Sequence, residues 1–161
     1  MRSLADAFLY AIIDLGYVNA ENAPAILEEL IAGEIDIVQL RGKNRSLDEL
    51  SALAEKLLTM SANIPLIAND HAEIAQRVEV QGVHVGQDDP TIEKVRAQIK
   101  RPIVVGKSTH SIEQAVAAER GVGSRTAEQI GVLFDRSFDR VERNGTDHEK
   151  GHRDQRPEEG K

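Results

Sequence analysis

Five times in succession, a short apolar run ends in polar residues and gives way to an amphipathic stretch. The runs are Phe8–Ile13 (FLYAII), Ile35–Leu40 (IDIVQL), Pro65–Ala68 (PLIA), Gly82–Val85 (GVHV) and Pro102–Gly106 (PIVVG). Short runs rich in Val, Ile and Leu, bounded by polar residues, read as buried strands. Between them apolar residues recur at helical spacing: Ile26, Leu27, Leu30 and Ile31, then Leu47, Leu50, Leu53, Ala54, Leu57 and Leu58. Ile74 with Val78, and Ile92 with Val95 and Ile99, continue the pattern. Asn22 is placed to cap the first helix with Pro24 in its opening turn. Ser46 and Glu49 form an S-x-x-E capping box, and the fifth helix begins near Ser111. Consecutive strand–helix units predict parallel strands joined by right-handed crossovers. A (β/α) barrel and an open doubly wound sheet both satisfy this. No G-x-G-x-x-G turn follows the first run, which weakens the dinucleotide-binding version.

The chain has 161 residues, 40% of them hydrophobic, with three Phe, two Tyr and no Trp. That suits one domain with an aliphatic core. A net charge of −7 argues against a nucleic-acid partner, whose phosphates demand a basic face. No apolar run approaches the roughly 20 residues that span a bilayer. Asp6 and Asp14 interrupt the amino-terminal stretch, so no signal peptide is predicted. Without cysteine there is no disulfide and no thiolate metal site. The expectation is a soluble, cytoplasmic protein without a membrane partner.

The polar residues at the run ends carry the functional signal. Gln39, Arg41 and Lys43 close the second run, Asn69 and Asp70 the third, Asp88 and Asp89 the fourth, and Ser108, Thr109 and His110 the fifth. In a parallel barrel these positions share the carboxyl-terminal rim, where active sites assemble. Asp70 or Asp89 taken singly reads as a helix cap. Converging from adjacent strands, the two resemble a Mg²⁺ site completed by substrate phosphates, with Asp88 a solvated neighbour or a cap. Arg41 and Lys43 suit a phosphate or diphosphate, one by forked hydrogen bonds and the other as a point charge. His84 alternates with valines and is expected to point into the barrel or to pack under the site, without a catalytic role. His110 reads as a helix-start residue.

The segments VQLRGK, LIANDHAEIA, GVHVGQDD and VVGKSTHS, in this order and spacing, closely resemble thiamine phosphate synthase over roughly residues 8 to 121. The resemblance implies a TIM-type (β/α) barrel that joins hydroxymethylpyrimidine diphosphate to thiazole phosphate and releases diphosphate. It implies that Gln39, Arg41 and Lys43 form the pyrimidine-diphosphate loop, with Asn69 on the same substrate. It further implies Asp70 and Asp89 as Mg²⁺ ligands and Ser108 on the diphosphate, with Lys43 and Ser108 the expected catalytic residues. Gly42 departs from the acidic or larger residue usual in Q-x-R-x-K, with a small effect expected because the flanking polar groups remain.

The resemblance fades after Gly123, where the glycine-rich loops and a T-x-T-K phosphate loop are expected. QIGVLF can form a sixth strand, but from Asp135 to Lys161 fifteen of 27 residues are charged. Such a segment cannot offset its ordering entropy by burial. The expected organisation is therefore a partial barrel over residues 1–134, five to six strand–helix units of eight, and a disordered tail over 135–161. The shift in composition suggests truncation, low or absent turnover, and self-association through exposed sheet edges. A thiazole tautomerase-like protein and a non-catalytic barrel fragment are the competing readings.

Overall fold

The computed structural model describes residues 7–61, 63–120 and 130–131. Strand β1 (Tyr10–Asp14) is followed by a 3₁₀ turn (Ala20–Asn22) and helix α1 (Ala23–Ala32). Then come β2 (Ile37–Arg41), α2 (Leu47–Ser61), β3 (Leu66–Asn69), α3 (Ala72–Arg77), β4 (Gly82–Val85) and α4 (Ile92–Gln98). Strand β5 (Val104–Lys107), helix α5 (Ile112–Arg120) and a two-residue β6 (Ile130–Gly131) complete the described elements. The expected charged tail, 135–161, lies outside them.

Every neighbouring pair of strands is parallel, in the spatial order β1-β2-β3-β4-β5-β6. A doubly wound sheet reverses its order at a switch point. This sheet never does. A sequential parallel order with right-handed crossovers puts all the helices on one side, and the architecture is that of a TIM-type (β/α) barrel.

Alternation along the strands divides the work between two faces. Ile13, Val38, Leu40, Leu66, Ala68, Val83, Val85 and Val105 turn outward into a core shared with Leu27, Leu50, Leu57, Ile74 and Val95. Residues of the opposite parity, including Tyr10, Asp14, Gln39, Arg41, Asn69 and His84, line the concave face. Gly82 is required there. A Cβ at that position would lie 2.6 Å from Ile67 Cδ1 and 2.9 Å from the Val104 carbonyl.

Four of the five strands begin and end one or two residues later than the apolar runs predict. Asp14, Arg41 and Lys107 continue the ladder, pairing with Arg41, Asp14 and Val85. Asn69 likewise pairs with His84. Polarity ended the runs too early, because concave-face residues stay in the ladder while their side chains enter a polar cavity. Phe8 and Leu9 precede β1, exposed, with their N–H groups donated to Asp36 Oδ2 at 2.9 and 3.0 Å.

The capping box of α2 forms as predicted. Glu49 N–H donates to Ser46 Oγ at 3.2 Å, and Glu49 Oε2 accepts from Ser46 N–H at 3.0 Å. The Ser46 N–H and the Ser46 hydroxyl, which also donates to Glu49 Oε2 at 3.0 Å, hold the Glu49 carboxyl below its usual range. Asn22 does not cap α1 with its side chain. It is the last residue of the 3₁₀ turn, already helical, with its N–H on the Asn19 carbonyl at 3.0 Å, while Pro24 sits in the first turn as expected. Among the described residues no helix is long and apolar enough to cross a membrane.

Candidate active site

Gln39, Arg41, Lys43, Asn69, Asp70, Asp89 and Ser108 line a single cavity of about 650 Å³ at the carboxyl ends of the strands. The seven come from the ends of β2, β3, β4 and β5, so the sequential parallel order is what brings them together. Tyr10, Ile12, Asp14, Tyr17, His84 and Gly86 complete the lining.

A hydrogen-bond chain crosses the cavity floor. The Tyr10 hydroxyl donates to Gln39 Oε1 at 2.6 Å, and Gln39 Nε2 donates to Asn69 Oδ1 at 2.5 Å. Burial pushes the Tyr10 phenol far above its usual range. With its oxygen occupied, Asn69 keeps its amide N–H groups for a ligand. At the rim, Arg41 pairs with Asp14.

Asp70 follows β3 with a positive φ of 62°. Its N–H donates to the His84 carbonyl at 2.8 Å, and His71 N–H donates back to the Asn69 carbonyl at 2.8 Å. The i→i+2 bond around a positive φ makes a strained γ-turn, and it delivers the Asp70 carboxyl to Asp89. Burial, then the hydrogen bond and charge of Asp89, raise the Asp70 carboxyl above its usual range, against the opposing pull of Lys43 and His71. Asp89 folds back on its own loop, accepting the Gly86 N–H at 2.6 Å.

Neither carboxylate caps a helix. The cap of α3 is His71, and that of α4 is Thr91, whose hydroxyl accepts the Lys94 N–H at 3.4 Å. Asp88 is exposed. Among the described residues no group of three or more His, Asp or Glu is gathered for a metal. Two adjacent carboxylates nevertheless fit a hard cation that keeps its remaining positions for phosphate oxygens and water, the usual condition of Mg²⁺. A divalent charge would also relieve the repulsion between them.

Ser108 is fixed by its N–H on the Val85 carbonyl at 3.0 Å, with its Oγ 2.9 Å from His84 Nε2. Burial lowers the His84 pKa and favours the neutral ring. His84 points inward as predicted, but sequence reasoning missed its contact with Ser108. His110 is exposed at the start of α5, its N–H donating to Gln114 Oε1 at 2.8 Å. Tyr10, Asp14 and Gly86 were also missed. Strand parity was the available signal for the first two, since Tyr10 and Asp14 share the concave parity of β1.

A family model described as thiamine monophosphate synthase matches residues 9–128. A thiamine-phosphate synthase of Halalkalibacterium halodurans is 39% identical over 131 residues, covering 80% of this chain and 60% of that protein. One of Lawsonia intracellularis is 39% identical over 133 residues, covering 81% and 59%. The chain thus spans about 60% of the length of the curated relatives it matches. Among solved structures, thiamine phosphate pyrophosphorylase from Pyrococcus furiosus superposes with a TM-score of 0.62 at 27% identity, over 70% of this chain and 55% of that one. N-acetylneuraminate lyase of Proteus mirabilis, at 16% identity and a TM-score of 0.56 over 85% and 59%, shares the fold. By this match over most of its length, the chain belongs to the thiamine monophosphate synthase family.

Proposed function

We propose that this chain carries the pyrimidine-diphosphate half of a thiamine phosphate synthase site. The reaction joins hydroxymethylpyrimidine diphosphate to thiazole phosphate and releases diphosphate. The observation behind this reading is the convergence of a carboxylate pair, an Arg, a Lys and a Ser on one cavity.

In this reading Arg41, Lys43 and Ser108 hold the diphosphate, and Asn69 donates to an acceptor on the pyrimidine. Asp70 and Asp89 would hold Mg²⁺, which supplies positive charge to the departing diphosphate oxygens. The protein residues orient the diphosphate and stabilise its growing charge while the bond to the pyrimidine methylene breaks. The resulting pyrimidine-methyl cation is captured by the thiazole nitrogen. Holding both partners in register accounts for roughly 7–11 kcal/mol of such a barrier. The thiazole phosphate would be held by residues other than those described, in keeping with a partial barrel over 1–134. The paired carboxylates beside two cations favour the synthase over a tautomerase, which has no diphosphate to hold. Phosphorylated metabolites as substrates go with a cytoplasmic location.

The test is titration calorimetry with hydroxymethylpyrimidine diphosphate and Mg²⁺. Asp70→Asn and Asp89→Asn should each weaken Mg²⁺-dependent binding by about tenfold or more, the usual cost of losing a charged contact. Unchanged binding by both folded variants would overturn the metal assignment.

A further inference from the structure

Arg41 does not stand free in the cavity. Asp14 and Arg41 are direct register partners at the ends of β1 and β2, and their side chains form an ion pair between Oδ2 and Nη1. The carboxylate is itself locked. Its other oxygen, Oδ1, accepts the Gly16 N–H at 2.8 Å, closing a turn of the kind short acidic side chains favour. The backbone ties the same corner, with Leu15 N–H on the Arg41 carbonyl at 2.8 Å. Asp14 is the more sheltered partner, with side-chain exposures of 15% and 31%. The guanidinium is therefore hung from an inner, doubly anchored carboxylate, with its outer part toward the cavity that both residues line.

Resting on the diphosphate reading above, we propose that Asp14 is the positioning residue of Arg41. It pins one nitrogen of the planar fork to the β1 turn and leaves the other N–H donors aimed at phosphate oxygens. A guanidinium has five donors in fixed geometry, so engaging one at Asp14 orients the rest without consuming them. Lys43, exposed and two residues past the strand end, has no such register partner.

Asp14→Asn breaks the pairing in place. The amide oxygen still accepts the Gly16 N–H, but its NH₂ then faces a guanidinium donor. Binding of inorganic diphosphate with Mg²⁺ is measured by calorimetry for the 161-residue chain, Asp14→Asn, Arg41→Gln and the double variant. Asp14→Asn should weaken binding by about tenfold, and in the Arg41→Gln background it should change binding by less than about twofold, the signature of two coupled residues. Equal or tighter binding by Asp14→Asn, or an equal loss in both backgrounds, would overturn the proposal. Absence of binding by the unsubstituted chain would instead remove the diphosphate reading itself, and this proposal with it. Should Asp14→Asn fail to fold, ¹⁵N NMR of the unsubstituted chain decides. Separate Arg41 Nη signals from slowed Cζ–Nη rotation are expected, and a single averaged line would overturn the assignment.

Discussion

Gly86 leaves Asp89 almost no freedom. A Cβ there would sit 2.9 Å from Asp89 Oδ2, the oxygen that already accepts the Gly86 N–H at 2.6 Å. Gly86→Ala should push the carboxylate out of the pair and lower Mg²⁺-dependent diphosphate affinity by about tenfold, since a charge-assisted hydrogen bond is lost. Calorimetry beside a thermal melt separates this from unfolding. Tyr10 supplies a pH test. Its phenol is held far above its usual 10 by burial, so above pH 10 the unfolded chain releases a proton that the folded chain keeps. Stability from this group is complete below pH 10 and is lost as pH rises, by up to about 1.4 kcal/mol per pH unit. Denaturant titrations between pH 10 and about 11.5 should show a shallower loss for Tyr10→Phe. An identical slope would contradict a buried phenol.

At the scale of elements, the start of α2 and the loop before it act together. The Ser46–Glu49 box satisfies two N–H groups at the first turn, and Ser46→Ala should cost about 1 kcal/mol in urea denaturation. Just upstream, Gly42 lies buried under this helix. A Cβ at that position would meet Leu50 Cδ2 at 2.8 Å, Leu15 Cδ1 at 3.1 Å and Arg45 Cγ at 3.2 Å. Gly42→Ala should destabilise by about 1–3 kcal/mol, the cost of overfilling a packed site, and a gain in stability would show that Leu50 yields freely.

Over the whole molecule, the two faces of the sheet separate stability from chemistry. The outward face and its helices form the apolar core, while the concave face carries the polar cavity. Leu57, fully buried in α2, belongs wholly to the first. Leu57→Ala should lose about 2–5 kcal/mol of stability through the cavity it leaves, yet bind Mg²⁺-diphosphate normally while folded. A large affinity change in that variant would mean the faces are coupled.

The rhythm of apolar runs and helical stripes determined the strands, their parallel pairing and the rim on which Gln39, Arg41, Lys43, Asn69, Asp70, Asp89 and Ser108 meet. Those signals are local, with periods of two and 3.6 residues, and the capping box spans four residues, so both are legible along the chain. What the tertiary structure alone decided is who touches whom across the strands. Arg41 reaches Asp14 across 27 residues, Gln39 reaches Asn69 across 30, and His84 reaches Ser108 across 24. It also decided between barrel and doubly wound order, and it turned Asp89 back onto Gly86 instead of onto α4. Such contacts depend on the register between neighbouring strands, and register is set by how the outward side chains pack, which no single stretch of sequence contains.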